Sequence, residues 1–132
     1  MHTLDIRIYY EDTDSLGLVY YANYLKFLER ARTEFFRDQG LDLGNIIQDC
    51  GLFFVVRSCN IKFISPASFD DLLQIISNVK KIKKNFVQLE QNIILNKKTI
   101  LKGEINLACV NSMGNSDELP KNVYNKLLNF VG

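Results

Sequence analysis

The sequence contains one histidine, His2, at the second of 132 positions. A Ser-His-Asp or Cys-His arrangement needs an imidazole held by surrounding structure, which a fraying terminus does not offer. Acid–base chemistry in this chain therefore falls to a carboxylate. Cysteine is scarce too. Cys50, Cys59 and Cys109 are odd in number and lack a CxxC spacing, so neither a disulfide framework nor a zinc site is expected. Each follows or sits within an apolar stretch, which predicts buried, reduced thiols in a cytoplasmic compartment. There is no excess of charge of either sign: 16 Lys and Arg against 15 Asp and Glu leave +1. A dedicated nucleic-acid binder carries a clear basic surplus, so that role is not expected. The opening residues lack the apolar core of a secretory leader, and no apolar run reaches the about 20 residues of a membrane span. With two prolines, seven glycines and no linker or repeat, residues 1–132 read as a single domain.

What is present is strong periodicity. Leu4, Ile6, Ile8 and Tyr10 alternate with Asp5, Arg7 and Tyr9, the period of a half-buried strand. From Asn23 the period becomes helical. Tyr24, Phe27, Leu28, Ala31 and Phe35 fall on one stripe, Lys26, Glu29, Arg30, Thr33 and Arg37 on the other side, and Gly40 is the expected stop. An irregular stretch is expected through Cys50. The Phe-, Val- and Ile-rich run from Leu52 to Phe63 then has the composition of a buried strand. Three more strands are expected over about residues 72–82, 86–95 and 100–111, joined by short polar hairpins at Lys83-Lys84-Asn85 and Asn96-Lys97-Lys98. Pro120 introduces a short helix with Val123, Leu127 and Phe130 or Val131 inward. The order fits an α+β fold: a five-stranded antiparallel sheet, one long helix on a single face, and a short C-terminal helix. One helix covers such a sheet only partly, which predicts a homo-oligomer.

Chemistry concentrates between the first strand and the helix. Glu11-Asp12-Thr13-Asp14 places three acids within four residues, just before a helix N-terminus. Backbone N–H groups there lack intrahelical acceptors and carry partial positive charge. Two readings stand: an acidic turn whose aspartates cap the helix, or a carboxylate set against a carbonyl that the helix end polarises. Asp12 is expected to bond backbone amides. Gly17 supplies either a backbone conformation or a close approach. Tyr20 and Tyr24 either line a pocket or join the core, and Arg30 is expected to pair with Glu34.

The stretch Tyr10-Glu11-Asp12-Thr13-Asp14-x-x-Gly17-x-Val19-Tyr20-Tyr21-Ala22-Asn23-Tyr24, continued by Phe27-x-Glu29-Arg30-Ala31-Arg32-x-Glu34, resembles the opening of the 4-hydroxybenzoyl-CoA thioesterase family. It looks most like the bacterial acyl-CoA thioesterase branch associated with the Tol–Pal system. Phe54-Val55-Val56-Arg57, Phe63-x-x-Pro66-Ala67-x-x-Asp70-Asp71-x-Leu73 and Leu119-Pro120 extend the likeness over essentially the whole chain. The resemblance implies a hotdog fold, in which a sheet wraps a long central helix, assembled as side-by-side dimers and often homotetramers. It implies hydrolysis of an acyl-CoA without metal or organic cofactor. Asp14 matches the catalytic carboxylate, as nucleophile or general base. Tyr21 matches the residue whose backbone amide binds the thioester carbonyl; relatives in the Tol–Pal branch often carry His there, the 4-hydroxybenzoyl-CoA enzymes Tyr. Gly17, Val19 and Tyr20 fall in the matching loop as substrate-binding positions. Lys83 and Lys84 match basic residues that hold the CoA phosphates, though a solvated hairpin explains them equally. Asn60 matches a segment facing the site from the neighbouring subunit. The rivals are a non-catalytic acyl-CoA or acyl-carrier-protein binding module, favoured by Tyr21, and a hotdog dehydratase, disfavoured by the lack of an internal histidine.

Overall fold

The computed structural model describes residues 1–131. Strand β1 (His2–Arg7) leads through a single 3-10 turn (Tyr10–Asp12) to helix α1 (Asn23–Asp38) and a second helix, α2 (Leu43–Cys50). Four strands follow, β2 (Leu52–Phe63), β3 (Leu72–Lys83), β4 (Phe86–Leu95) and β5 (Lys98–Asn111), then helix α3 (Lys121–Leu128). The sheet is antiparallel throughout and ordered β1-β3-β4-β5-β2. This is the expected hotdog arrangement.

The apolar stripe of α1 explains how helix and sheet combine. Tyr24, Phe27, Leu28, Ala31, Phe35 and Phe36 are all buried, whereas Lys26, Glu29, Arg30 and Arg37 face water. Every second residue of β4 (Val87, Leu89, Gln91, Ile93) turns inward, as period-2 alternation requires. Each large side chain so buried contributes roughly 1.5–3 kcal/mol of transfer free energy. Two positions show how close the helix comes. A Cβ at Gly103 would lie 2.9 Å from the Gln91 carbonyl oxygen and 3.5 Å from Leu28. The fully buried Gln91 amide donates to the Leu28 carbonyl and to Ser77 Oγ, both at 3.0 Å, which fixes helix against sheet with directional bonds.

Several expectations change. The alternation reaches Tyr10, but β1 ends at Arg7, and Tyr9 and Tyr10 are exposed. The stretch expected to be irregular holds α2, which Asp42 caps by accepting the Asn45 N–H at 3.2 Å and Gly51 ends at φ +65°; Gly44 and Asn45, weak helix formers, obscured it. β2 is a sheet edge, bonded only to β5, so its apolar run is largely exposed: Val55 is 41% and Val56 49% accessible. For the same reason Cys59 is exposed, as is Cys50 at the end of α2; only Cys109 is buried, and burial is the main cause pushing its thiol up to about 11. Glu34 pairs with Arg37 instead of Arg30, which lies over the Phe27 ring at 6.0 Å. In the C-terminal segment it is Phe130 that packs inward, edge-on to Phe35.

His2 is not frayed. Its ring stacks on Phe35 (5.3 Å between centroids) and its Nε2 lies 2.8 Å from Asp38 Oδ2. That contact is at the C-terminal end of α1, about 24 Å along the helix from its start. The imidazole is therefore remote from the acidic loop, and the reliance on a carboxylate stands.

Candidate active site

The acidic loop is tied down at both ends by Asp12. Its carboxylate accepts the Tyr9 N–H at 2.8 Å, and its carbonyl accepts the Tyr20 N–H at 3.0 Å and the Asn23 side-chain amide at 2.9 Å. Asp12 thus plays the structural role expected of it. Between these anchors Thr13 and Val19 form an antiparallel bridge, and a tight turn projects beyond it. There the Asp14 N–H reaches the Leu18 carbonyl (2.8 Å) and the Gly17 N–H reaches the Asp14 carbonyl (3.0 Å). Gly17 has φ +76° with open space where a Cβ would stand, so conformation rather than close approach requires glycine.

This turn holds the Asp14 side chain in one orientation. Oδ1 accepts the N–H of Leu16 at 2.8 Å and that of Leu18 at 3.3 Å. Among the described residues Oδ2 has no partner, so one carboxylate oxygen is anchored and the other is free to react.

Across from it α1 begins without a side-chain cap, Ala22 standing at the cap position. The Tyr20 carbonyl accepts the Asn23 N–H (2.8 Å) and the Tyr21 carbonyl accepts the Tyr24 N–H (3.3 Å). The N–H groups of Tyr21 and Ala22 have no acceptor among the described residues. Two unaccepted N–H groups at the positive end of a helix form a site for a polarised or anionic oxygen. Tyr21 was legible as an amide donor; Ala22, with no distinctive side chain, was not.

Asp14, Val19, Tyr20 and Tyr21 line one cleft of about 460 Å³, with Tyr24 and Phe63 to Pro66 opposite. The Tyr21 and Phe63 rings meet edge-to-face at 6.2 Å, and Tyr24 lies 5.9 Å from Phe63. The Tyr24 hydroxyl accepts the Ala67 N–H at 3.0 Å, binding the segment after β2 to the start of the helix. Burial is the largest cause holding this phenol above its ordinary range, the Ala67 bond opposes it, and Asp71 adds to it. In the sequence, Pro66 and Ala67 stood out only through the resemblance, with nothing to mark Phe63 to Pro66 as a wall of the cleft. That this segment forms a cleft wall depends on the long-range bridge between Leu18 and Ser68, for which no local pattern exists. Among the described residues no three of His, Cys, Asp and Glu cluster so as to hold a metal ion.

Three expected site residues lie elsewhere in the protomer. Asn60 lines a polar groove on the sheet with Lys62, Asn92 and Lys102. Lys83 ends β3, and Lys84 sits in the following turn, its carbonyl accepting the Leu119 N–H at 2.7 Å. β3 leaves the cleft end of the sheet at Leu72 and runs 12 residues, so the lysine hairpin is about 35 Å away at the far end.

Comparison with known proteins places this geometry in context. The family model of the thioesterase superfamily matches residues 16–101. The chain is 38% identical over 105 residues to the acyl-CoA thioesterase YbgC of Haemophilus influenzae, covering 80% of this chain and 77% of that one. It is 49% identical over 87 residues to the acyl-CoA thioesterase YbgC of Helicobacter pylori, covering 66% of this chain and 62% of that relative. The crystal structure of a probable thioesterase from Bartonella henselae superposes with a TM-score of 0.86 at 35% identity, over 90% of this chain and 98% of that one.

Because Asp12 holds the loop at its entrance, Asp12→Ala is expected to lower stability by about 1 kcal/mol, or about 3–5 °C in Tm. Thermal unfolding by circular dichroism measures this; an unchanged Tm would show that the carboxylate bond to Tyr9 does not hold the loop.

Proposed function

The chain belongs to the thioesterase superfamily, and from that premise we propose that it is an acyl-CoA thioesterase, hydrolysing an acyl-CoA to the free acid and CoA. The observation that carries this reading is a half-anchored carboxylate, Asp14, lining one cleft with Tyr21, whose N–H group, like that of the neighbouring Ala22, has no acceptor among the described residues. The thioester carbonyl oxygen accepts from the helix N-terminus, which stabilises the negative charge that develops when the carbon becomes tetrahedral. Asp14 then acts in one of two ways. Its free oxygen attacks the carbonyl carbon, expelling the CoA thiolate and forming a mixed anhydride that water hydrolyses. Alternatively it takes a proton from water, whose oxygen adds to the same carbon before the thiolate leaves. Either route consumes one water and gives one acid and one thiol. Tyr21 in place of a histidine removes no group that either route uses, because the contact is through the backbone. Val19 and Tyr20 complete the acyl side of the cleft, and Gly17 shapes the turn that carries Asp14 without lining it.

The functional unit is a homo-oligomer in which a second copy joins along β2. Three features support this. β2 is an edge strand with its apolar residues exposed. The cleft adjoins its C-terminal end through Phe63, while the lysine hairpin stands at its N-terminal end, where Val55, Ala108 and Phe86 align across the strands. Antiparallel pairing of two β2 edges reverses those ends, carrying one protomer's Lys83 and Lys84 toward the other's cleft. The lysines then meet the phosphates of a CoA whose thioester lies at Asp14. A homodimer is the smallest assembly this needs. A reducing, cytoplasmic setting is supported by three cysteines that are all unpaired, and no helix among the described residues is long and apolar enough to cross a membrane.

Asp14→Asn is expected to keep the fold and lower thiol release from a panel of acyl-CoAs by roughly 10²–10⁴-fold. Retained turnover would remove Asp14 from the mechanism, and binding of acyl-CoA without release by the native protein would mark a binding module. The composite site has its own test. Mixing Asp14→Asn with a Lys83→Ala, Lys84→Ala chain should restore about a quarter of native activity through hybrid dimers, each with one intact site. No recovery after confirmed exchange of subunits would place both sets of residues within one protomer's reach.

A further inference from the structure

Tyr24 carries a hydrogen-bond donor that the chain itself leaves unused. Its hydroxyl oxygen accepts the Ala67 N–H at 3.0 Å, and a phenol hydroxyl has one proton to give besides. No protein acceptor for that proton lies within reach among the described residues. The residue is 4% exposed, against 62% for Tyr21, and Asp14 too is exposed. The reacting groups thus stand at the rim of the cleft, and the Tyr24 hydroxyl is near its floor, beside Pro66 and Ala67. Val19, Phe63 and Pro66 line the cleft with Tyr24 and offer no side-chain acceptor, and the Ser65 hydroxyl, also in the lining, makes no hydrogen bond to it. An ordinary phenol is already protonated throughout the neutral range, and burial moves Tyr24 further in that direction, so it remains a donor.

We propose that Tyr24 determines acyl specificity by donating this proton to an oxygen that the acyl group carries beyond its thioester carbonyl. The inference rests on the thioesterase reading of the cleft. With the carbonyl held at the rim between Asp14 and the Tyr21 amide, the acyl chain extends inward, and its substituents meet Tyr24. A plain alkyl chain displaces water from the hydroxyl and returns nothing, leaving a buried donor unpaired. A hydroxy- or oxo-acyl chain of matching length satisfies it, and a site built around such a donor discriminates against the analogue that lacks the oxygen. The preferred substrates are therefore short oxygenated acyl-CoAs over their unsubstituted counterparts.

The experiment compares kcat/KM for butyryl-CoA, 3-hydroxybutyryl-CoA and 4-hydroxybutyryl-CoA, in the native protein and in Tyr24→Phe. The native protein is expected to favour one hydroxy derivative by about 10-fold, the value of one net hydrogen bond. In Tyr24→Phe that ratio should fall to near unity. The variant also loses the Ala67 contact, but a purely structural effect lowers all three substrates alike and leaves the ratio intact. A preserved ratio in the variant, or no preference in the native protein, overturns the proposal. If the native protein turned over none of the three, the hydrolase reading would fall separately. The affinities of the same three compounds, measured by calorimetry on both proteins, would then decide on Tyr24 by the same ratio.

Discussion

Burial of one face of α1 against the sheet is the constraint from which the rest of the molecule follows. Six buried side chains fix the helix along its length, and the bonds from Gln91 to the Leu28 carbonyl and Ser77 fix it in place on the sheet. Its N-terminus is thereby held at one end of the sheet. The preceding loop is anchored separately, by Asp12 to Tyr9, Tyr20 and Asn23, so no side chain is free to cap the helix. The Tyr21 and Ala22 N–H groups stay unaccepted because the structure around them is rigid. Rigid donors are what carbonyl activation needs, since they cost no reorganisation when charge develops.

Much of this was legible in the chain because it is periodic. The α1 stripe, the alternation of Val87, Leu89, Gln91 and Ile93, and the stop at Gly40 each follow from a local rule. The Asp14 turn was legible by resemblance, as was the amide of Tyr21. What escaped had physical causes of a different kind. α2 carries Gly44 and Asn45 in its first turn and buries nothing fully, so although Leu43, Ile46, Ile47 and Cys50 have helical spacing, eight residues with two weak helix formers fell short of a clear signal. β2 has the composition of an interior strand but the position of an edge, and composition carries no information about which strands are neighbours. The cleft wall at residues 63–66 meets the helix only through tertiary bonds such as that from the Ala67 N–H to Tyr24.

The distance between Asp14 and the lysine hairpin joins these two themes. An apolar edge strand needs a partner, and a CoA spanning the molecule needs phosphate-binding groups that its own protomer places at the wrong end. One antiparallel pairing of β2 with itself satisfies both. In the proposed dimer, the apolar composition of β2, read from the sequence as burial within the sheet, becomes burial between copies.

The central claim is that the thioester carbonyl is held and polarised at the start of α1, facing Asp14. Its most direct measurement is the infrared carbonyl stretch of a ¹³C-labelled acyl-CoA bound to Asp14→Asn, compared with the same compound in water. The account predicts a band displaced to lower frequency, because two N–H groups and the helix dipole draw electron density onto the carbonyl oxygen. A bound carbonyl with an undisplaced or raised frequency would contradict it, and would place the thioester away from Tyr21 and Ala22.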